Sequence, residues 1–152
     1  EARKLVEQGL ADATSEPTGK RGRTVYSITP AGRDALATWM RQPSAPMKLE
    51  SESLVRLFFA DAGTVDDMRR TLVDLAADTR SRADELQDKL RAFNSPDYPF
   101  PERRHVNALN LQFQIVHHAA VGEWCEWALD QLESWRSPTD PGAWDWRVVA
   151  SR

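Results

Sequence analysis

Two apolar stripes run along one stretch of this chain, from about Glu102 to Trp135. One is Val106, Leu109, Phe113, Val116, Ala120 and Trp127; the other is Leu111, Ile115, Gly122, Cys125, Leu129 and Leu132. The spacing predicts one α-helix, roughly 50 Å long at about 1.5 Å per residue. A helix in a monomeric two-helix hairpin needs a single buried stripe. Two stripes demand burial on two sides, and the helical segments of one subunit supply too little surface for both. A second copy of the chain is the expected cover, which predicts a homodimer. The expected interface residues are Met68, Leu72, Leu75 and Leu86 from the preceding helix, with Val106, Leu109, Phe113 and Val116. The alternative is a monomer in which an N-terminal part covers the second stripe.

The preceding segments fit this frame. Thr64 followed by Asp67 predicts a capping-box start. From there Met68, Leu72, Leu75, Ala83, Leu86, Leu90 and Phe93 form a heptad-like stripe, interrupted at Thr79 and Arg82. Asn94, Ser95, Pro96, Pro99 and Pro101 break the chain before the long helix. Upstream, Leu54, Val55, Leu57, Phe58 and Phe59 cluster on a predicted helix of about 11 residues ended by Gly63. The two prolines of "PSAPMK", residues 43–48, mark a linker. These boundaries divide the chain into residues 1–42, a helical dimerisation and effector domain over 49–136, and a tail over 137–152.

The first of these parts differs in charge. The chain is −3 overall, but residues 1–34 carry six Lys/Arg against five Asp/Glu. Lys20, Arg21 and Arg23 stand together, with no acid between Pro17 and Arg33. A polyanion would meet this part and be repelled by the remainder. "EARKLVEQGLA" reads as a helix stopped at Gly9; with no N-cap at residue 1, it looks like the end of a longer helix. A short strand is predicted over Leu10–Thr14, then turn residues Pro17, Thr18, Gly19 and Gly22, then a second strand over Arg23–Ile28 with strict alternation. Thr29-Pro30 is an N-cap with proline at the first helical position, opening a helix to about Arg41. Helix, hairpin with a basic tip, helix: this is the second half of a winged helix-turn-helix. The predicted fold is therefore mainly α with a small β-hairpin wing, a partial winged helix-turn-helix followed by a helical dimerisation domain. The wing cations suit DNA phosphates. A solvated hairpin with incidental charge is the alternative.

"LVEQGLA" followed by "GRTVYSITPAGRDALATWM" resembles the PadR family of bacterial transcriptional regulators, through Leu5, Gly9, Leu10, Tyr26, Ile28, Thr29, Gly32, Leu36 and Trp39. "ESESLVRLFFADAG", residues 50–63, resembles the first helix of that family's C-terminal region. MarR-type regulators share a similar strand-Thr-x-x-Gly join, so the second segment adds the discrimination. The resemblance implies that the first helix ends a recognition helix. It makes Arg3, Lys4, Thr18, Lys20, Arg21 and Arg23 the expected DNA contacts. It further implies a homodimeric regulator of operator DNA, most often a repressor; the single Cys125, which allows no intrachain disulfide, makes a reducing cytoplasm the expected setting. The family's two leading helices are absent from this sequence.

Relatives in that family can sense phenolic acids or planar drugs near the dimer interface. An aromatic effector near Trp124 and Trp127, with Trp39 as the next candidate, is the corresponding expectation; dimer or domain core is the plainer role for these indoles. No enzyme is expected. His117 and His118 are adjacent, so on a helix they point about 100° apart. His118 and Cys125 share a face, but two ligands make no tetrahedral metal site, and His105 stands apart. No phosphate-binding glycine loop or nucleophile elbow is present. No metal or cofactor is therefore expected. Cys125 is the single cysteine, no apolar run approaches a membrane span, and no signal peptide is visible. The competing reading from another class is a helical dimerisation or adaptor protein that keeps a winged-helix remnant for protein contacts.

Overall fold

The computed structural model describes residues 1–18 and 21–151. The fold is mainly α with one small β-hairpin, in two compact units, residues 1–49 and 50–152.

In the first unit, α1 (Ala2–Glu7) ends where Gly9 turns with φ +69°. Leu10 N–H then donates back to Leu5 O at 2.8 Å and Gly9 N–H to Val6 O at 2.9 Å, so two carbonyls of the last turn are not left open. β1 (Ala11–Thr18) and β2 (Arg21–Ile28) pair antiparallel, from Ala11 opposite Ile28 to Thr18 opposite Arg21. Both strands are longer than their sequence patterns suggested. Two-stranded pairing requires only backbone groups, so Ser15, Glu16 and Pro17 continue the ladder without an apolar face to mark them. Pro17 is tolerated because each strand of a two-stranded sheet is an edge.

α2 (Pro30–Met40) starts as predicted. The Thr29 hydroxyl accepts from Gly32 N–H at 3.0 Å and donates to Gly9 O at 2.8 Å. Thr29 N–H donates to Leu10 O at 3.1 Å. One residue thus caps a helix and ties it to the α1–β1 turn. Gly32 is buried there beneath the Leu10 carbonyl.

In the second unit, α3 (Glu52–Phe58) is shorter than predicted and passes into a 3-10 turn over Ala60–Ala62. Phe59 leaves the helical region at φ −102°, ψ 28°, and this breaks the expected 11-residue helix. α4 (Val65–Ala92) carries the capping box: Thr64 accepts from Asp67 N–H, and the Asp67 carboxylate accepts from Thr64 N–H at 2.9 Å. α5 (Arg104–Gln131) runs back along α4, with single 3-10 turns over Pro101–Arg103 and Leu132–Ser134 at its ends.

α4 and α5 make the core. Leu72, Cys125 and Leu132 are buried at its centre, with Leu57, Met68, Leu75, Trp124 and Leu129 packed around them. Leu86 and Leu111 extend the seam toward the other end. Each fully buried leucine contributes about 1.5–3 kcal/mol of transfer free energy. Thr79, expected to interrupt the α4 stripe, instead continues it. It is 4% exposed, and its hydroxyl is satisfied by Leu75 O at 2.9 Å and Ala76 O at 3.0 Å, opposite the small Gly122. Arg69 fastens the helix ends: it donates to Leu132 O and to the Glu133 carboxylate, each at 2.9 Å. After α5, the Trp144 indole N–H donates to Gln131 Oε1 at 3.0 Å and its ring lies against Trp135.

Candidate nucleic-acid interface

The first unit gathers the expected DNA contacts on two elements. Arg3 and Lys4 are exposed on α1. Lys4 lies 3.6 Å from the still more exposed Glu1, a pair too solvated to hold the ammonium firmly. Arg23 is exposed on β2. Lys20 lies outside the described residues, as do the side chains of Thr18 and Arg21. The backbone of Thr18 and Arg21 forms the last pair of the ladder, which places Arg21 at the far end of the described strands.

One residue escaped the sequence reading. Glu16 sits directly opposite Arg23 in the ladder, and their side chains approach to 4.0 Å. The wing therefore contains an acid facing one of its cations. Only the register, set by the length of the turn, could have revealed it. Arg33, on α2, is exposed and makes no ion pair among the described residues.

The second unit separates the two stripes of α5. Leu111, Cys125 and Leu132 are buried against α4. Val106, Leu109, Phe113 and Val116 are 49–75% exposed, on a face that α4 does not reach. Leu72 and Leu86 are buried, and Met68 and Leu75 packed, inside the protomer's own core, because α4 turns its single stripe toward α5. Phe58 and Phe59 add a further exposed pair, their rings edge to face at 5.0 Å. Contiguous apolar surface of this kind marks contact sites on soluble proteins.

The expected effector wall lines none of the cavities described among the described residues. Trp124 packs on the Leu72–Cys125–Leu132 core, and Trp127 is half-buried beside it. None of the four cavities described is lined by either indole. Trp39, 64% exposed on α2, lines none of them either. His105, His117 and His118 form no metal-binding group, and no cluster of three or more His, Cys, Asp or Glu suited to an ion occurs among the described residues. Burial pushes the Cys125 thiol above its ordinary pKa, which makes it a core group rather than a nucleophile. No helix among the described residues is long and apolar enough to cross a membrane.

A hairpin between two helices, followed in sequence by a separate long helical hairpin, is the arrangement of a winged helix followed by a helical domain. The chain belongs to the family described as Virulence activator alpha C-term, whose model matches residues 50–133. Its fold is shared with PadR-like proteins and with other solved structures, of which three are given. The smu.1604c protein of Streptococcus mutans UA159 superimposes with a TM-score of 0.70 at 19% identity, over 84% of this chain and 74% of its own. Bacillus subtilis PadR in complex with operator DNA gives 0.65 at 17% identity, over 86% and 75%. The Vibrio cholerae virulence activator AphA gives 0.62 at 26% identity, over 86% and 72%. No curated protein sequence matches the chain. The relationship shown is to transcriptional regulators.

Proposed function

We propose that the protein is a DNA-binding transcriptional regulator that acts as a homodimer and represses through an operator. The observation that carries this reading is the placement of its cations. Arg3 and Lys4 on α1 and the basic run of the wing stand on elements tied together through Thr29 and Gly9. The solved complex of PadR with operator DNA supports the same use of this fold. Phosphate contacts from the wing would supply affinity and salt dependence, and the α1 side would supply base readout.

The uncovered face of α5 supports the dimer. Val106, Leu109, Phe113 and Val116 recur at three and four residues, the spacing of a helix–helix seam, and a second copy brings an identical seam. Dimerisation would set the distance between two wings and hence the spacing of operator half-sites. The structure of PadR with p-coumaric acid supports release by a small aromatic effector. The domain boundaries at 42, 49 and 136 are part of this proposal. The decisive experiment is a mobility shift with DNA flanking the protein's own gene. A discrete complex that survives excess unrelated duplex is expected. Complexes lost equally to any duplex, together with capture of a protein partner in the absence of DNA, would favour the adaptor reading.

A further inference from the structure

At the end of the helical hairpin where the 93–103 segment joins α4 to α5, a cavity of about 470 Å³ opens beside Tyr98. Its apolar walls are Phe93, Pro99 and the buried Leu111. Tyr98 is held by two neighbours. Phe93 meets its ring edge to face at 4.8 Å, and the Arg104 guanidinium lies over it at 5.2 Å. Its hydroxyl oxygen accepts from Asn107 Nδ2 at 2.7 Å, which leaves the phenolic hydrogen free to donate. Asn110 Oδ1 accepts from Gln114 Nε2 at 2.7 Å, which leaves the Asn110 N–H₂ group free.

The charge on the cavity lining is positive. Lys89 is the only charged residue lining the cavity, and it makes no ion pair among the described residues. Arg104, behind the ring, has none either; it donates to Ser95 O at 3.3 Å, and its Nε is buried without a partner. Of the acids beside it on α4, Asp88 is held by Arg91, and Glu85, one turn earlier, makes no ion pair with Lys89 among the described residues. Two uncompensated cations on one aromatic site stand out in a chain whose residues 35–152 are net negative.

We propose that this cavity binds a small organic monocarboxylate with a flat apolar body. The ring lies between Phe93, Pro99 and Leu111, and the carboxylate accepts from Lys89, the Tyr98 hydroxyl and Asn110. Charge-assisted hydrogen bonds from preset donors are the strong contacts of such a site. Asn107, Asn110 and Gln114 lie on the same stretch of α5 as Leu109 and Phe113, so occupancy would bear on the uncovered face. That regulatory consequence rests on the effector-responsive reading proposed above; the binding itself does not.

The test uses benzoate as probe, with benzamide as its neutral analogue, and follows the side-chain amide signals of Asn107, Asn110 and Gln114 by NMR, without DNA. Saturable shifts are expected with benzoate at millimolar concentrations, and weaker binding with benzamide. Lys89→Met keeps the aliphatic stem, and Tyr98→Phe keeps the ring stack; each should weaken benzoate binding about tenfold while leaving the spectrum folded. Absence of saturable shifts, or benzoate binding unaffected by both substitutions, would overturn the proposal. Because no DNA is present, such a failure leaves the DNA-binding reading untouched, and a failed operator shift leaves this site untouched.

Discussion

Gly32 has no room for a side chain: a Cβ added there would overlap the carbonyl oxygen of Leu10. The same carbonyl accepts from Thr29 N–H, so the helix behind the wing and the turn ahead of it meet backbone to backbone. This approach is the physical content of the Thr-x-x-Gly join in the sequence. Thr29 supplies the cap and Gly32 the room for it.

Gly32→Ala should therefore destabilise the first unit by about 1–3 kcal/mol, through overlap with backbone that cannot move aside. Thr29→Ala should cost about 1 kcal/mol by removing the cap. Urea unfolding followed through Trp39 fluorescence would measure both. A Gly32→Ala protein as stable as the parent would mean that the two backbones do not meet this closely.

The wing should report itself through salt. Replacing Lys20, Arg21 and Arg23 by alanine should weaken binding to every duplex. It should also flatten the slope of log K against log salt, by up to about 0.9 for each phosphate no longer neutralised. Glu16→Gln should act in the opposite direction, because it frees Arg23 from the carboxylate 4.0 Å away. Fluorescence anisotropy across a salt series separates these outcomes. An unchanged slope in the triple variant would rule out phosphate binding by the wing.

The sequence patterns made the helical elements legible because their apolar residues recur at three and four and their ends carry caps at Thr29 and Thr64. They located the wing strands but not their lengths, since Ser15, Glu16 and Pro17 pair through backbone alone. They also showed two stripes on α5 without showing which one α4 would take. That choice depends on Gly122 fitting opposite Thr79, and on Cys125 and Leu132 meeting Leu72, relations between residues far apart in the chain. The cavity beside Tyr98 was illegible for the same reason. Its walls come from the end of α4, the proline-rich connection and the first turns of α5.

Stripe identity can be tested by paired substitutions. Phe113→Glu, on the uncovered face, should dissociate the proposed dimer and leave the protomer folded. Leu72→Ala, in the core, should cost about 2–5 kcal/mol of folding free energy. Light scattering and thermal melts distinguish the two. A parent protein that is monomeric at tens of micromolar would remove the dimer from the account.

Acid should loosen the start of α4. Hydrogen bonds from the Thr64 hydroxyl, first, and then from its backbone N–H hold the Asp67 carboxyl below its ordinary pKa of 3.8. A depressed folded-state pKa gives stability that is present in full above the unfolded value and is lost as pH falls through the folded one. Asp67→Asn should therefore be less stable than the parent at pH 7, with the gap closing as the pH drops below about 3.8. Urea melts at several pH values would show this. A gap independent of pH would mean that the carboxylate's charge has no part in the cap.

The central claim is that this protein reads DNA as a two-fold assembly. The most direct measurement is selection of bound duplexes from a random-sequence pool by the purified protein, followed by sequencing. The account predicts enrichment of one inverted repeat, with half-sites separated by about one helical turn or a multiple of it. Recovered duplexes with no common sequence, at a protein concentration where they are bound, would contradict it.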